Sequence, residues 1–140
     1  MKRIAAALLS AALMITVLCF SGCDDFAFNP IGRWDYVEHS YYVDDKLTDQ
    51  ETPDNTALMR DIALIFGKSG TGYVETGTKD KIDYTYKYGS NTVTLTMPGS
   101  VTVDYSVSDD QKELRRTNEQ SVRTSDGKEV KIKEIFVYRR

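Results

Sequence analysis

Acid–base, nucleophilic and metal chemistry all need convergent side chains, and this chain of 140 residues offers few. Its one histidine is His39. An imidazole is the natural proton carrier near neutral pH. His39 has no second histidine and no cluster of thiolates with which to hold a metal. It also has no serine motif around it to activate. A strand-end or surface position is the ordinary reading. Asp44-Asp45 and Asp109-Asp110 are adjacent carboxylates, but neighbours on a strand point to opposite faces. Neither pair stands in a calcium-loop pattern, so both read as turns. Gly70-Thr71-Gly72 opens a strand rather than a helix and is not a phosphate loop. The expectation is a protein that is not an enzyme, with no metal and no cofactor.

Tyrosine is the residue type in surplus, with nine copies. Tyr84, Tyr86 and Tyr88 alternate with Asp83, Thr85 and Lys87 and so share one face of a strand. Tyr73 and Tyr105 can fall beside them. One reading is an aromatic-lined cavity for an apolar or amphipathic ligand. The other is core filling, with hydroxyls reaching the rim. Both stay open from the residues alone, and these five tyrosines are the candidate ligand contacts.

Two cysteines remain to be placed, Cys19 and Cys23. Met1-Lys2-Arg3 is a basic start, and Ile4 to Phe20 is apolar apart from Ser10 and Thr16, the layout of a secretory signal peptide. Phe20-Ser21-Gly22-Cys23 resembles the lipobox of bacterial lipoproteins. That resemblance implies cleavage before Cys23 and acylation of its thiol by diacylglycerol, with fatty chains such as palmitate. Residues 1–22 would be the signal peptide. An uncleaved membrane helix and a plain secreted product are the competing readings, the first short for a span. The second leaves an exposed thiol with no visible purpose. With Cys19 removed, Cys23 would be the only thiol, so neither an internal disulfide nor a cysteine zinc site is expected. The anchor implies the extracytoplasmic face of the cell membrane. Several buried acyl chains would make that residence lasting, at about 0.8 kcal/mol per methylene.

Charge narrows the partners. Lys plus Arg number 18 against 21 Asp plus Glu, a net of −3. Loss of Lys2 and Arg3 leaves 16 against 21, a net of −5. Nucleic-acid binding needs basic surface, so nucleic acid is not an expected partner. An acidic domain is not drawn to anionic lipid either, which leaves the anchor as the route to the membrane.

The elements that must position these residues read as short strands. Residues 23–30 form the lipidated end and a tether, with Phe26 and Phe28 expected to pack under the domain. Ile31 to Glu38 is a strand, and Tyr41-Tyr42-Val43 continues it or starts another before a turn at Asp44-Asp45. Leu47 to Ala57 is polar, carries Pro53 and reads as a surface loop. A helix of two turns or less, capped by Asp54 or Thr56, would run to Met59 or Arg60. From Asp61 apolar residues alternate with polar ones. Turns fall at Gly67–Gly70, Gly77–Lys79, Gly89–Asn91, Pro98-Gly99, Asp109-Asp110 and Ser125–Lys128. A short strand is expected at Leu114–Thr117 and a last one at Val130–Arg139. Eight or nine strands on tight turns make an antiparallel up-and-down meander. An open meander exposes its edges, so closure into a barrel of about eight strands is the expected all-β fold, a single domain over residues 31–140.

That domain resembles the small lipocalin-like barrels of bacterial lipoproteins. Gly32-Arg33-Trp34 resembles the Gly-x-Trp opening of the first strand. Phe66 to Gly72 resembles a Phe-x-x-x-Gly-Thr-Gly hairpin, and the chain closes on Tyr138-Arg139-Arg140. The resemblance implies that Gly32, Trp34 and a last-strand arginine close the barrel, Arg139 being favoured and Arg140 the alternative. It also implies a non-catalytic module for a small lipophilic or amphipathic ligand. The alternative function is an adaptor or structural lipoprotein with a filled barrel, contacting an envelope or extracellular protein.

Overall fold

Alternation of apolar and polar residues, punctuated by tight turns, builds a single antiparallel sheet. The computed structural model describes residues 28–78 and 80–140. Residues 1–22, expected to be a signal peptide, together with Cys23, Phe26 and Lys79, lie outside the described residues.

Nine strands follow one another: β1 Gly32–Val43, β2 Lys46–Glu51, β3 Ile62–Phe66, β4 Thr71–Thr76, β5 Lys81–Tyr88, β6 Thr92–Met97, β7 Val101–Val107, β8 Glu113–Arg123 and β9 Glu129–Arg139. The sheet order is β2-β1-β3-β4-β5-β6-β7-β8-β9, and β1 also pairs with β9. That second pairing closes eight strands, β1 and β3 to β9, into an antiparallel barrel. The expected all-β barrel is the fold found. β1 can serve both sides because it is long. Its first residues pair with β3, Gly32 opposite Phe66, while Asp35 to Val43 pair with β9. A register shift between Tyr36 and Glu38 bends it, as a bulge bends a strand at a barrel rim.

The core is built by inward positions two residues apart. Trp34, Leu64, Phe66, Val93, Leu95 and Leu114 have at most 2 % of their surface exposed. Trp34 lies at one end of the barrel, which Phe28 covers from outside the sheet. Phe28 and Pro30 are buried, so residues 28–30 belong to the domain, and only residues 24–27 separate it from Cys23. Phe28 packs as expected.

Three sequence expectations are corrected. Residues 46–51 are a strand, not a loop. β2 forms because Asp44 and Asp45 both take left-handed backbone angles, φ 48° and 62°, the turn that a two-residue hairpin needs. Its residues are mostly exposed, so no alternation announces it. The turn at Ala57–Asp61 is a 3-10 helix with no side-chain cap, held by burial of Met59. β8 is an 11-residue strand rather than a short segment. Its outer half is exposed and polar apart from Val122, and it is secured by unbroken pairing with β9, from Glu113 opposite Arg139 to Arg123 opposite Glu129.

Candidate binding surface at the open end of the barrel

The two ends of the barrel differ in chemistry. At the Trp34 end the indole and the arginine beside it both have partners. The indole N–H donates to the Pro30 carbonyl at 2.8 Å. Phe28 meets Trp34 edge-on at 6.1 Å and Tyr88 at the same distance. The guanidinium of Arg140, not Arg139, lies over the indole at 4.5 Å. Arg140 also donates to the Asn29 carbonyl at 2.6 Å. The reason is parity. Phe136, Tyr138 and Arg140 share the inward face of β9, whereas Arg139 points outward and pairs with Glu113 at 3.0 Å. Gly32 precedes Trp34 with φ 124°, a left-handed region that favours glycine.

The five candidate tyrosines do not surround one cavity. Tyr84, Tyr86 and Tyr105 are buried, while Tyr88 is 52 % exposed at the Trp34 end. Tyr73 lies on the outer face, its ring 4.2 Å from the Lys81 ammonium. Tyr84 crosses the bare backbone at Gly72, and its hydroxyl donates to the Ile65 carbonyl at 2.8 Å. A Cβ at Gly72 would stand 2.1 Å from that carbonyl oxygen and 2.8 Å from the Tyr84 ring. Glycine is therefore what lets the ring lie down. The Tyr86 hydroxyl donates to the Gly67 carbonyl. Both rings pack edge-on against Phe66, at 5.6 and 4.9 Å. Tyr73 and Tyr84 do line a common groove of about 790 Å³ with Ile65, Met97 and Pro98, but it is open to solvent on the outer wall.

Residues outside the expected set make the larger aromatic assembly. Tyr138 and Tyr36 stack at 4.9 Å, Tyr36 and Phe136 at 6.4 Å, and Phe136 and His39 at 4.4 Å. This column climbs from the core to the end opposite Trp34. His39 stands at its top between Glu51 on β2 and Glu134 on β9, 3.3 Å from each. At the column's base Tyr105 meets Tyr138 edge-on at 5.7 Å. Tyr138 and Arg116 both act on the Tyr105 phenol and partly offset the rise that burial imposes on it. Arg116 also lies over Phe136 at 5.6 Å. Burial pushes the phenols of Tyr36, Tyr84, Tyr105 and Tyr138 above their ordinary range. The Glu51 and Glu134 charges add to the rise at Tyr36. The signal in the sequence is the two aromatic residues two apart on β9, Phe136 and Tyr138, although the apolar run around them hides which face they share.

Opposite the column stands an apolar wall. Ile82 is two residues from Tyr84 and shares its face, and Val101 and Val103 share the face of Tyr105. Ile62, Val74, Met97 and Val103 are half-buried against the core. Ile82 and Val101 are 43 % and 58 % exposed. β1, β8 and β9, with 11 or 12 residues each, outreach strands of 5 to 8 residues. The open end is thus a lopsided cup: a tall polar and aromatic wall faces a short apolar one. Tyr84, Tyr105 and Tyr36 are buried in the core between them. No group of three or more His, Cys, Asp or Glu suited to a metal occurs among the described residues.

Comparison with family models, curated proteins and solved structures finds no match for the chain. The functional reading rests on the residues and the barrel.

Proposed function

We propose that this chain is a lipid-anchored lipoprotein of the extracytoplasmic membrane face. In this reading its lipocalin-like barrel binds a small lipophilic or amphipathic ligand without chemistry. The ligand sits in the cup at the open end and not in the barrel interior, which large side chains occupy. One observation carries this: Ile82 and Val101 are apolar, inward-facing and solvent-exposed, beside half-buried Met97 and Val103. Exposed apolar surface rimmed by polar groups marks an interaction site.

The test uses anilinonaphthalene sulfonate as the probe. Saturable fluorescence enhancement is expected, and Ile82→Lys with Val101→Lys should weaken it at least tenfold while the far-UV spectrum is kept. Absence of saturable binding, or binding indifferent to the two lysines, overturns the ligand reading. The anchor has its own test. Cys23→Ser should move the protein from the membrane to the soluble fraction. Unchanged retention, with no acyl mass on Cys23, overturns it. The packed interior favours a second reading, an adaptor lipoprotein that contacts an envelope or extracellular protein through its surface.

A further inference from the structure

β8 leaves the barrel wall early. β7 pairs with it only at Ser106–Arg115 and Val107–Leu114. Beyond Arg115 the two strands part, while β8 continues to Arg123 against β9 alone. The direction of its backbone groups can be worked out. The carbonyls of Glu113 and Arg115 face β7, since they accept from the Ser108 N–H and the Ser106 hydroxyl. The Thr124 N–H faces β9, donating to the Lys128 carbonyl. The register from 113 to 123 has no shift, and antiparallel ladders alternate strictly. The N–H and C=O groups of Thr117, Glu119, Ser121 and Arg123 therefore point away from β9. No strand meets them among the described residues.

This edge carries no proline and no bulge, two of the devices that keep a sheet edge from pairing, and its outward charges, Glu119 and Arg123, are of opposite sign. We propose that the β8 edge pairs antiparallel with the same edge of a second copy of this chain, about a two-fold axis at Ser121. Three registers match at least three of these four residues with those of the second copy. Centring on Glu119 sets Glu119 against Glu119, which is repulsive. Centring on Gln120 sets Glu119 against Ser121 and Thr117 against Arg123, with no charge complement. Centring on Ser121 sets Glu119 opposite Arg123 twice, once on each side of the axis. Glu119 also holds Lys131 of its own chain at 3.3 Å, so Arg123 of the second copy adds to that pair; charge thus selects the register of the self-pairing, and an isologous dimer closes the exposed edges. The dimer is independent of ligand binding in the cup, which lies on the barrel's inner face.

The full chain carrying Ser121→Cys, purified in detergent and mildly oxidised, tests the pairing. A covalent dimer is expected at a yield at least tenfold above wild type. Ser69→Cys, on the exposed β3–β4 turn, should stay at the wild-type level. Adding Glu119→Arg to the Ser121→Cys chain should cut the dimer yield at least tenfold, and adding Arg123→Glu as well should restore it. No Ser121→Cys dimer, equal cross-linking of Ser69→Cys, or a charge swap without effect overturns the proposal. Probe binding measured on the same samples reports on the cup separately.

Discussion

Trp34 has no exposed surface, and what seals it is the side chain at position 140. The cation–π contact and the bond to the Asn29 carbonyl together stabilise the fold by about 1–2 kcal/mol. Arg140→Ala should lower urea-unfolding stability by that amount. Arg139→Ala removes only an exposed pair with Glu113 and should cost about 0.5 kcal/mol or less. A reversed order in the two denaturation curves would show that the arginine roles are exchanged. The sequence alone did not decide it, because residues 135–138 are apolar at every position and Val137 is as buried as Tyr138; the ring contacts of Phe136 and Tyr138 set the parity that carries on to Arg140. Family resemblance gave the pair of candidates, and strand parity decides between them. Tyr73 and Tyr88 show the opposite failure. Composition marks them as aromatic and cannot say that one faces outward and the other lies at the sealed end.

Strands that bury one face were legible, and strands that bury neither were not. β5 and β6 carry alternation that core burial enforces, and β9 ends in an apolar run, Ile135 to Tyr138. β2 and the outer half of β8 bury neither face, each with a single exposed apolar residue, Leu47 and Val122, so their pairing is what makes them strands. The β1–β2 hairpin depends on Asp44 in particular. Its N–H donates to the Lys131 carbonyl at 2.9 Å, and its carboxylate accepts the Lys131 N–H at 3.0 Å. Asp44→Ala loses that acceptor and leaves alanine at a left-handed φ, together worth about 1–2 kcal/mol. Hydrogen exchange should speed up at the amides of residues 46–51 and stay unchanged in β4 to β6, since β2 pairs only with β1. Faster exchange throughout would mean that β2 is part of the barrel's cooperative unit. The cup follows from the same inequality of strands. Its apolar wall ends where β5 and β7 end, and its polar wall continues because β1, β8 and β9 are longer.

At the scale of the whole molecule the buried phenols tie stability to alkaline pH. Tyr36, Tyr84, Tyr105 and Tyr138 have pKa values raised above the ordinary value, chiefly by burial. The folded state therefore keeps protons that the unfolded chain begins to lose near pH 10. Their contribution is fully present below about pH 10 and is lost as pH rises beyond it. Absorbance at 295 nm should show these phenols ionising in the same step that abolishes the far-UV β signal. Early ionisation in an intact fold would contradict their burial. The pairing of β1 with β9 has a further consequence, in time rather than in energy. The strands that shut the barrel are the first and the last described, with Asp35 opposite Arg139. During synthesis every hairpin from β3 to β6 can form as it emerges, but closure must wait for β9. Until then the Trp34 pocket has no lid, and the nascent sheet keeps both edges open. Such long-range closure is the slow class of folding event, so the interval before β9 arrives is when this chain is most exposed to mispairing.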